Sequence, residues 1–368
     1  SESGLIPESP YPMQQSELFA WENEYLTACR LGVELAVRIH LGKGFYTDLS
    51  AYYMEYVLTA DGTEVSRGQI KMPKIAAQSR VKVTSSDLAK AIKKAPAGKE
   101  ILVNVEFKLK EATPLLEKDF VVAHNQFEVA GYGFPQMAAE NSGDVKIDEA
   151  VAYVKLEAAG VVYTFNKNSG WIDYIDIDGK QITQNGSQLK SDFWRAPTDN
   201  DRNIRHQWQG RGFRDAAVKC YECAVTASDA TSVTGTAKLS TVQRPFLWLD
   251  AAYTFHAEGG VTLSYHAKVA DNAPFLPRFG VEFLMPEESE NLRYFGRGPV
   301  ESYRDKRHAS RQGLFETTVT DHFEHYVRPQ ENCAHADTRW MMVSSVAGQG
   351  LLAVTTGKDF SFNCSHFT

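Results

Sequence analysis

Apolar and polar residues alternate with period two along most of the chain. Val33-Glu-Leu-Ala-Val-Arg-Ile39 shows the pattern cleanly, as a half-buried strand should. Tyr52–Leu58 is the next strand, and Asp61-Gly62 supplies a hairpin-type turn. Gln69–Met72, Arg80–Val83, Glu100–Lys110 and Phe120–Val129 continue the series. One helix interrupts it, at Ser86–Lys94, where Ser85 or Ser86 can cap the start and Pro96 with Gly98 ends it. About seven short strands in roughly 110 residues predict an immunoglobulin-like β-sandwich over residues 18–130. Residues 1–17 are rich in Pro, Ser and Glu and read as a linker.

Residues 131–147 hold Gly131, Gly133, Pro135 and a polar run from Glu140 to Asp144, the composition of a second linker. Strands resume after it, over Val151–Glu157, Val161–Phe165, Tyr174–Ile177, Ala217–Thr226, Val242–Phe255, Gly260–Lys268, Phe279–Phe283, Leu292–Phe295, Met341–Ser345 and Leu351–Thr355. More than ten strands in about 220 residues predict a large sandwich or barrel over 148–368. The strand–helix alternation of a (β/α) barrel is missing. The opening residues do not read as the start of a domain, and the chain stops inside the strand-like Phe360–Thr368. The expectation is a piece of a longer polypeptide, shortened at its C-terminus.

Composition narrows the classes of function. The 368 residues are 43% hydrophobic and 23% charged, ordinary values for a globular chain. A net charge of −7 argues against a nucleic-acid partner. No apolar run approaches the roughly 18 to 20 residues of a bilayer span, so no membrane partner is expected. Five cysteines do not make a dense disulfide framework. Cys220 and Cys223 lie three apart in a strand, where they should face opposite sides. All five thiols are expected free.

Several segments are unusual as words. Phe193-Trp-Arg-Ala-Pro-Thr-Asp-Asn-Asp201 and Phe295-Gly-Arg-Gly-Pro-Val-Glu-Ser-Tyr-Arg-Asp305 are the most specific. Leu276-Pro-Arg-Phe-Gly280, Tyr326-Val-Arg-Pro-Gln-Glu-Asn332 with Asp337-Thr-Arg-Trp340, and Phe360-Ser-Phe-Asn363 complete the set. In this order they resemble the C-terminal domain of the bacterial β-galactosidases of glycoside hydrolase family two, the small chain of two-subunit members. Asp48-Leu-Ser50 and Tyr56–Gly62 are similar to the immunoglobulin-like domain that precedes it. The resemblance implies an all-β chain, an immunoglobulin-like sandwich followed by a mutarotase-like supersandwich. It further implies a parent enzyme, working as a homo-oligomer, that cleaves terminal β-D-galactosides with retention. Such chemistry uses two carboxyl groups about 5 to 5.5 Å apart. In the family these sit on a (β/α) barrel preceding this region, the magnesium and sodium ligands also belong to the parts N-terminal to it, and a substrate-stacking tryptophan lies beyond the equivalent of Thr368. No catalytic residue, metal ligand or cofactor is therefore expected within the chain; its partners would be the barrel domain and a β-galactoside or other carbohydrate. Two departures stand out: Cys333 and Asn203 occupy positions where the family commonly has Gly.

The candidate sugar-facing residues are Asp199, Asn200, Asp201 and Asn203, in a polar segment running through Arg205, His206 and Gln207 that the resemblance places at the active-site mouth. It holds no period-two apolar pattern and is expected as a long mobile loop over 199–212. The competing role for Asp199 and Asp201 is to cap turns and pair with Arg195. Arg297, near Glu301, Arg304 and Asp305, suits a salt-bridge network better than sugar contact. Glu331 suits pairing with Arg328 or Arg339 better than acid catalysis. His322, His325 and His335 lack metal-site spacing. Among the tryptophans, Trp208 stands among polar and Gly-rich neighbours and is the expected exposed one. A non-catalytic carbohydrate-binding module and a mutarotase-type isomerase are the alternative functions.

Overall fold

The computed structural model describes residues 49–73, 81–135, 143–184, 186–227, 232–243 and 245–366. The expected linker 1–17, the strand Val33–Ile39, Trp21, Cys29 and much of 131–147 lie outside these residues. The chain divides into two compact units, one running to Gly133 and including 312–314, the other formed by 134–311 and 315–368.

In the first unit, strands β1 (Tyr52–Ala60), β2 (Thr63–Ile70), β3 (Ile101–Leu109) and β4 (Val121–Ala130) form one antiparallel sheet in the order β2-β1-β3-β4. The β1–β2 turn uses Asp61 at φ 45° and Gly62 at φ 78°, the two left-handed positions of a hairpin turn that matches strand twist. One sheet face is apolar because Met54, Tyr56 and Leu58 alternate on β1 opposite Phe107, Val105 and Val103 on β3. Helix α1 (Ser86–Lys94) adds its Leu88, Ala91 and Ile92 stripe to that core. Its cap is Ser85, whose Oγ accepts the Leu88 N–H at 3.2 Å. Residues 81–83 form no strand, contrary to expectation.

The second unit opens with β5 (Lys146–Glu149), β6 (Tyr153–Ala158), β7 (Val161–Asn166), β8 (Trp171–Ile177) and β9 (Lys180–Gln181), a sheet in sequence order. After β10 (Lys190–Asp192) and helix α2 (Arg205–Arg211) comes a second sheet of β11 (Val218–Ala227), β12 (Ser232–Thr241), β13 (Leu247–His256) and β14 (Val261–Val269). The two sheets share one core: Phe165 meets Tyr253 at 5.2 Å and Tyr163 meets Phe255 at 5.3 Å between ring centroids. This is an all-β sandwich. Strand β15 (Gly280–Glu282) pairs with β10. A third sheet, β17-β16-β19-β20, combines β16 (Asn291–Gly298), β17 (Arg311–Thr318), β19 (Trp340–Ser344) and β20 (Gly350–Val354). Helix α3 (Val319–His322) follows β17, and β18 (Ala334–His335) pairs with β21 (Phe362–Asn363). None of the described helices is long and apolar enough to cross a membrane.

Three local expectations need correction. Strand β12 was not predicted, since Ser-Val-Thr-Gly-Thr-Ala-Lys-Leu-Ser-Thr buries mostly small groups behind Val233 and Leu239. Strand β5 begins inside the segment read as linker, because all four of its residues are exposed and Ile147 alone is apolar. Cys220 and Cys223 do not face opposite sides. A bulge shifts the register between Cys220 and Glu222, so both cysteines oppose core-facing residues, Leu239 and Ala237. Burial raises both thiols, Cys223 to about 11. The four described cysteines are free; Cys29 lies outside the described residues.

Candidate functional site

The unusual words, separated by up to about 170 residues, meet in the second unit. Two arginine–carboxylate assemblies form where they meet. Arg195 clasps Asp201 with both terminal nitrogens, at 2.6 and 3.1 Å. Asp201 also accepts the Thr198 backbone N–H at 2.7 Å and its hydroxyl at 2.9 Å. Thr198 thereby opens a 3-10 turn over Asp199–Arg202. The remaining Arg195 donor, Nε, reaches the Pro277 carbonyl at 3.1 Å, and the guanidinium lies 5.5 Å from the Trp208 ring. Burial works to raise the Asp201 carboxyl, but the hydrogen bonds from Arg195 and Thr198 outweigh it and hold the group below its ordinary value.

In the second assembly one arginine serves two carboxylates. Arg278 donates to Asp192 at 3.2 Å and to Glu331. Asn363 donates to the same Glu331 oxygen at 2.9 Å and to the Asn332 carbonyl. Both carboxylates are buried. Burial raises both, and the shared guanidinium does not offset it. Glu331 therefore pairs with Arg278, not with Arg328 or Arg339. Arg278, Asp192 and Asn363 were not singled out from the sequence, although Arg278 and Asn363 stand inside its unusual words.

A strap over 326–333 backs these groups. Buried Glu301 accepts the Cys333 N–H at 2.9 Å and contacts the Lys306 ammonium and the Tyr326 hydroxyl. Burial again works upward, but these bonds keep Glu301 below its usual range. Cys333 sits buried at φ 65°, a left-handed conformation that strains an L-residue by about 1–2 kcal/mol and is open to glycine. His322 and His335 stack beneath the strap at 4.7 Å, and His322 Nε2 contacts the Cys333 carbonyl at 2.9 Å. Burial lowers both rings, His335 to about 4. His325 stands apart, against Phe323. No group of three or more His, Cys, Asp or Glu among the described residues is arranged to hold a metal. Arg297 joins a salt-bridge network, with Asp337 at 2.5 Å and the carbonyls of Arg307 and Ser310, so its partners differ from those expected.

The candidate sugar-facing residues separate by burial. Asp201 is buried in the Arg195 clasp. Asp199 and Asn200 are exposed; the Asp199 N–H reaches Gln330 Oε1 at 3.2 Å, and Asn200 donates to Asp305 at 3.1 Å. Asn203 is exposed in an ordinary right-handed conformation, φ −87°, which needs no glycine. The expected long loop over 199–212 is instead the 3-10 turn followed by α2. Trp208 anchors it, fully buried, with its indole N–H on the Phe275 carbonyl at 2.9 Å. Gly212, at φ 73°, closes the helix: its N–H bonds Gln209 while Phe213 N–H bonds Trp208. A lone buried Trp in seven residues leaves no periodic signal, so neither the helix nor the burial of Trp208 is legible in the sequence.

The family profile of the beta galactosidase small chain matches residues 157–368, and that of beta-galactosidase domain 4 matches residues 43–130. The chain belongs to the β-galactosidase family. Both arginine assemblies fall inside the β-galactosidase small-chain match, and the β1–β4 sheet falls inside the domain 4 match. The β-galactosidase of Actinobacillus pleuropneumoniae is 29% identical over 371 residues, covering 99% of this chain and 35% of that protein. The Staphylococcus xylosus β-galactosidase is 27% identical, covering 72% of the chain and 27% of its own length. That of Halalkalibacterium halodurans is 26% identical, with 98% and 35% covered. The chain thus spans about a third of the length of these β-galactosidases.

Proposed function

We propose that this chain is the C-terminal scaffold and active-site-rim portion of a retaining β-galactosidase that hydrolyses terminal β-D-galactose residues. One observation carries the proposal. Segments far apart in sequence converge on the Arg195 and Arg278 assemblies, directly beneath a turn whose Asp199 and Asn200 face solvent. The buried carboxylates are committed to arginines, which suits them to holding a surface and not to attacking a sugar. Asp201 fixes the turn; Asp199, Asn200 and Asn203 offer polar groups to a bound galactoside. The nucleophile and acid/base carboxyls are supplied by a (β/α) barrel elsewhere in the polypeptide, the magnesium and sodium ligands by its N-terminal parts, and the whole works as a homo-oligomer.

The test compares this chain with the full-length protein on a chromogenic β-galactoside. The chain alone is expected to give no turnover and the full-length protein to be active. In the latter, Asp199→Ala and Asn200→Ala should raise KM several-fold and leave kcat within about threefold, as lost ground-state contacts do. Turnover by the isolated chain, abolished by Glu331→Gln, would place the chemistry in this unit and sink the proposal.

A further inference from the structure

The sheet β11–β14 carries a feature the rim does not use. Along β13, Leu247, Leu249 and Ala251 point into the core, and Trp248 between them points outward with 41% of its surface exposed. An indole is an expensive group to leave in water, and its natural place is a core. Its cross-strand neighbour on β14 is Lys268, and the chain beyond β14 brings Ala270 and Asp271 alongside. Trp248, Lys268, Ala270 and Asp271 line an open concavity of about 440 Å³. The Trp248 indole N–H, the Lys268 ammonium and the Asp271 carboxylate have no hydrogen-bond or ion-pair partner among the described residues. Asp250 and His266, opposite one another in the next outward row, extend the polar border.

The geometry points to an accessory carbohydrate-binding site at Trp248, taking a terminal galactopyranosyl group. A pyranose has an apolar C–H face and an edge of hydroxyls. The exposed indole is a flat partner for the first. The second needs a donor and an acceptor at the border of the ring, which Lys268 and Asp271 supply. The charges of opposite sign disfavour a simple anion or cation, and a single aromatic within a charged border is too small an apolar patch for a stable protein partner. The choice of galactose over other pyranoses rests on the β-galactosidase reading; its axial hydroxyl leaves one face more continuously apolar for stacking. The site lies on a different sheet from the arginine assemblies and does not depend on them.

Titration of the whole chain with lactose, followed by tryptophan fluorescence and calorimetry, tests this. Saturable binding in the millimolar range is expected, as suits an open site with one stacked ring. Trp248→Ala should weaken it by about two- to tenfold, the scale of one lost aromatic contact. Asp271→Asn should weaken it several-fold, with circular dichroism and melting unchanged in both variants. Cellobiose should bind more weakly than lactose. No saturable binding up to 100-fold above that range, or lactose binding indifferent to both substitutions, overturns the site. Those results would leave turnover by the full-length protein untouched, and loss of that turnover would leave lactose binding at Trp248 intact.

Discussion

The two arginine–carboxylate assemblies are built from the same side chains yet push their carboxyl groups in opposite directions. Arg195 gives its whole fork to Asp201, and Thr198 adds two more donors. Asp201 therefore titrates below its ordinary value despite burial. Arg278 is divided between Asp192 and Glu331, which share one positive charge in a buried place. Both are raised. The difference teaches that burial alone does not set a carboxylate's state; the number of donors committed to each oxygen decides it. The first assembly is a clasp that holds a turn. The second sets two carboxyl groups against one guanidinium and is the more sensitive to change.

The comparison breaks most sharply at Arg278. Arg278→Met leaves two buried carboxylates without their counter-ion, and removing one partner of a buried pair costs about 3–5 kcal/mol. Urea denaturation at pH 7 should show that loss. Part of it should return at pH 5, because carboxyls raised in the native state bind protons there that the unfolded chain does not. An effect below about 1 kcal/mol would mean that water already screens the pair.

A smaller effect is expected at Asp201. Asp201→Asn keeps one acceptor but removes the charge that answers Arg195, and hydrogen bonds to charged groups contribute about 1.5–3 kcal/mol. A loss of about 2 kcal/mol is expected at pH 7. The sign with pH is opposite to that at Arg278. A carboxyl lowered in the native state stabilises fully above its unfolded value of 3.8 and loses that contribution as pH falls through the lower native value. Wild type and variant should therefore converge in acid. An unchanged melting temperature with altered galactoside kinetics in the full-length protein would instead assign Asp201 to the sugar.

Much of the fold was legible because sheet periodicity is a strong signal where one face is buried. Helix α1 and its Ser85 cap, and strands β1, β3, β4, β8 and β13, left alternating or 3.6-residue patterns in the sequence. β12 and α2 did not, for different reasons. β12 lies in the middle of its sheet but packs with Ser, Thr, Gly and Ala, which look like loop residues. α2 is held by one indole and a glycine stop. The Cys220–Cys223 bulge inserts a single residue, and no composition marks it. At the site, the unusual words located the right segments, but pairing across them is a tertiary fact. Nothing within Tyr326–Asn332 indicates that Glu331 takes Arg278, whose codon-distant position on the approach to β15 only the fold brings near.

Glu331→Gln sharpens the comparison with the smallest effect. The amide keeps an acceptor for Arg278 and Asn363 and removes one of the two charges that share the guanidinium. Asp192 then has Arg278 to itself, as Asp201 has Arg195. At pH 7 the change in stability should stay within about 1 kcal/mol of zero, since an ion pair buried at this depth contributes little net of its desolvation. The pH dependence is more informative. Glu331 is raised above 4.5 in the native state, first by burial, so the native protein holds a proton that the unfolded chain has released. Its contribution is fully present below 4.5 and is lost as pH rises through the higher native value. Stability of the wild type minus that of Glu331→Gln should accordingly fall as pH rises above about 4.5, in urea denaturation at matched ionic strength. A difference that grows with pH would mean that Arg278 holds Glu331 as Arg195 holds Asp201, and the two assemblies would be of one kind.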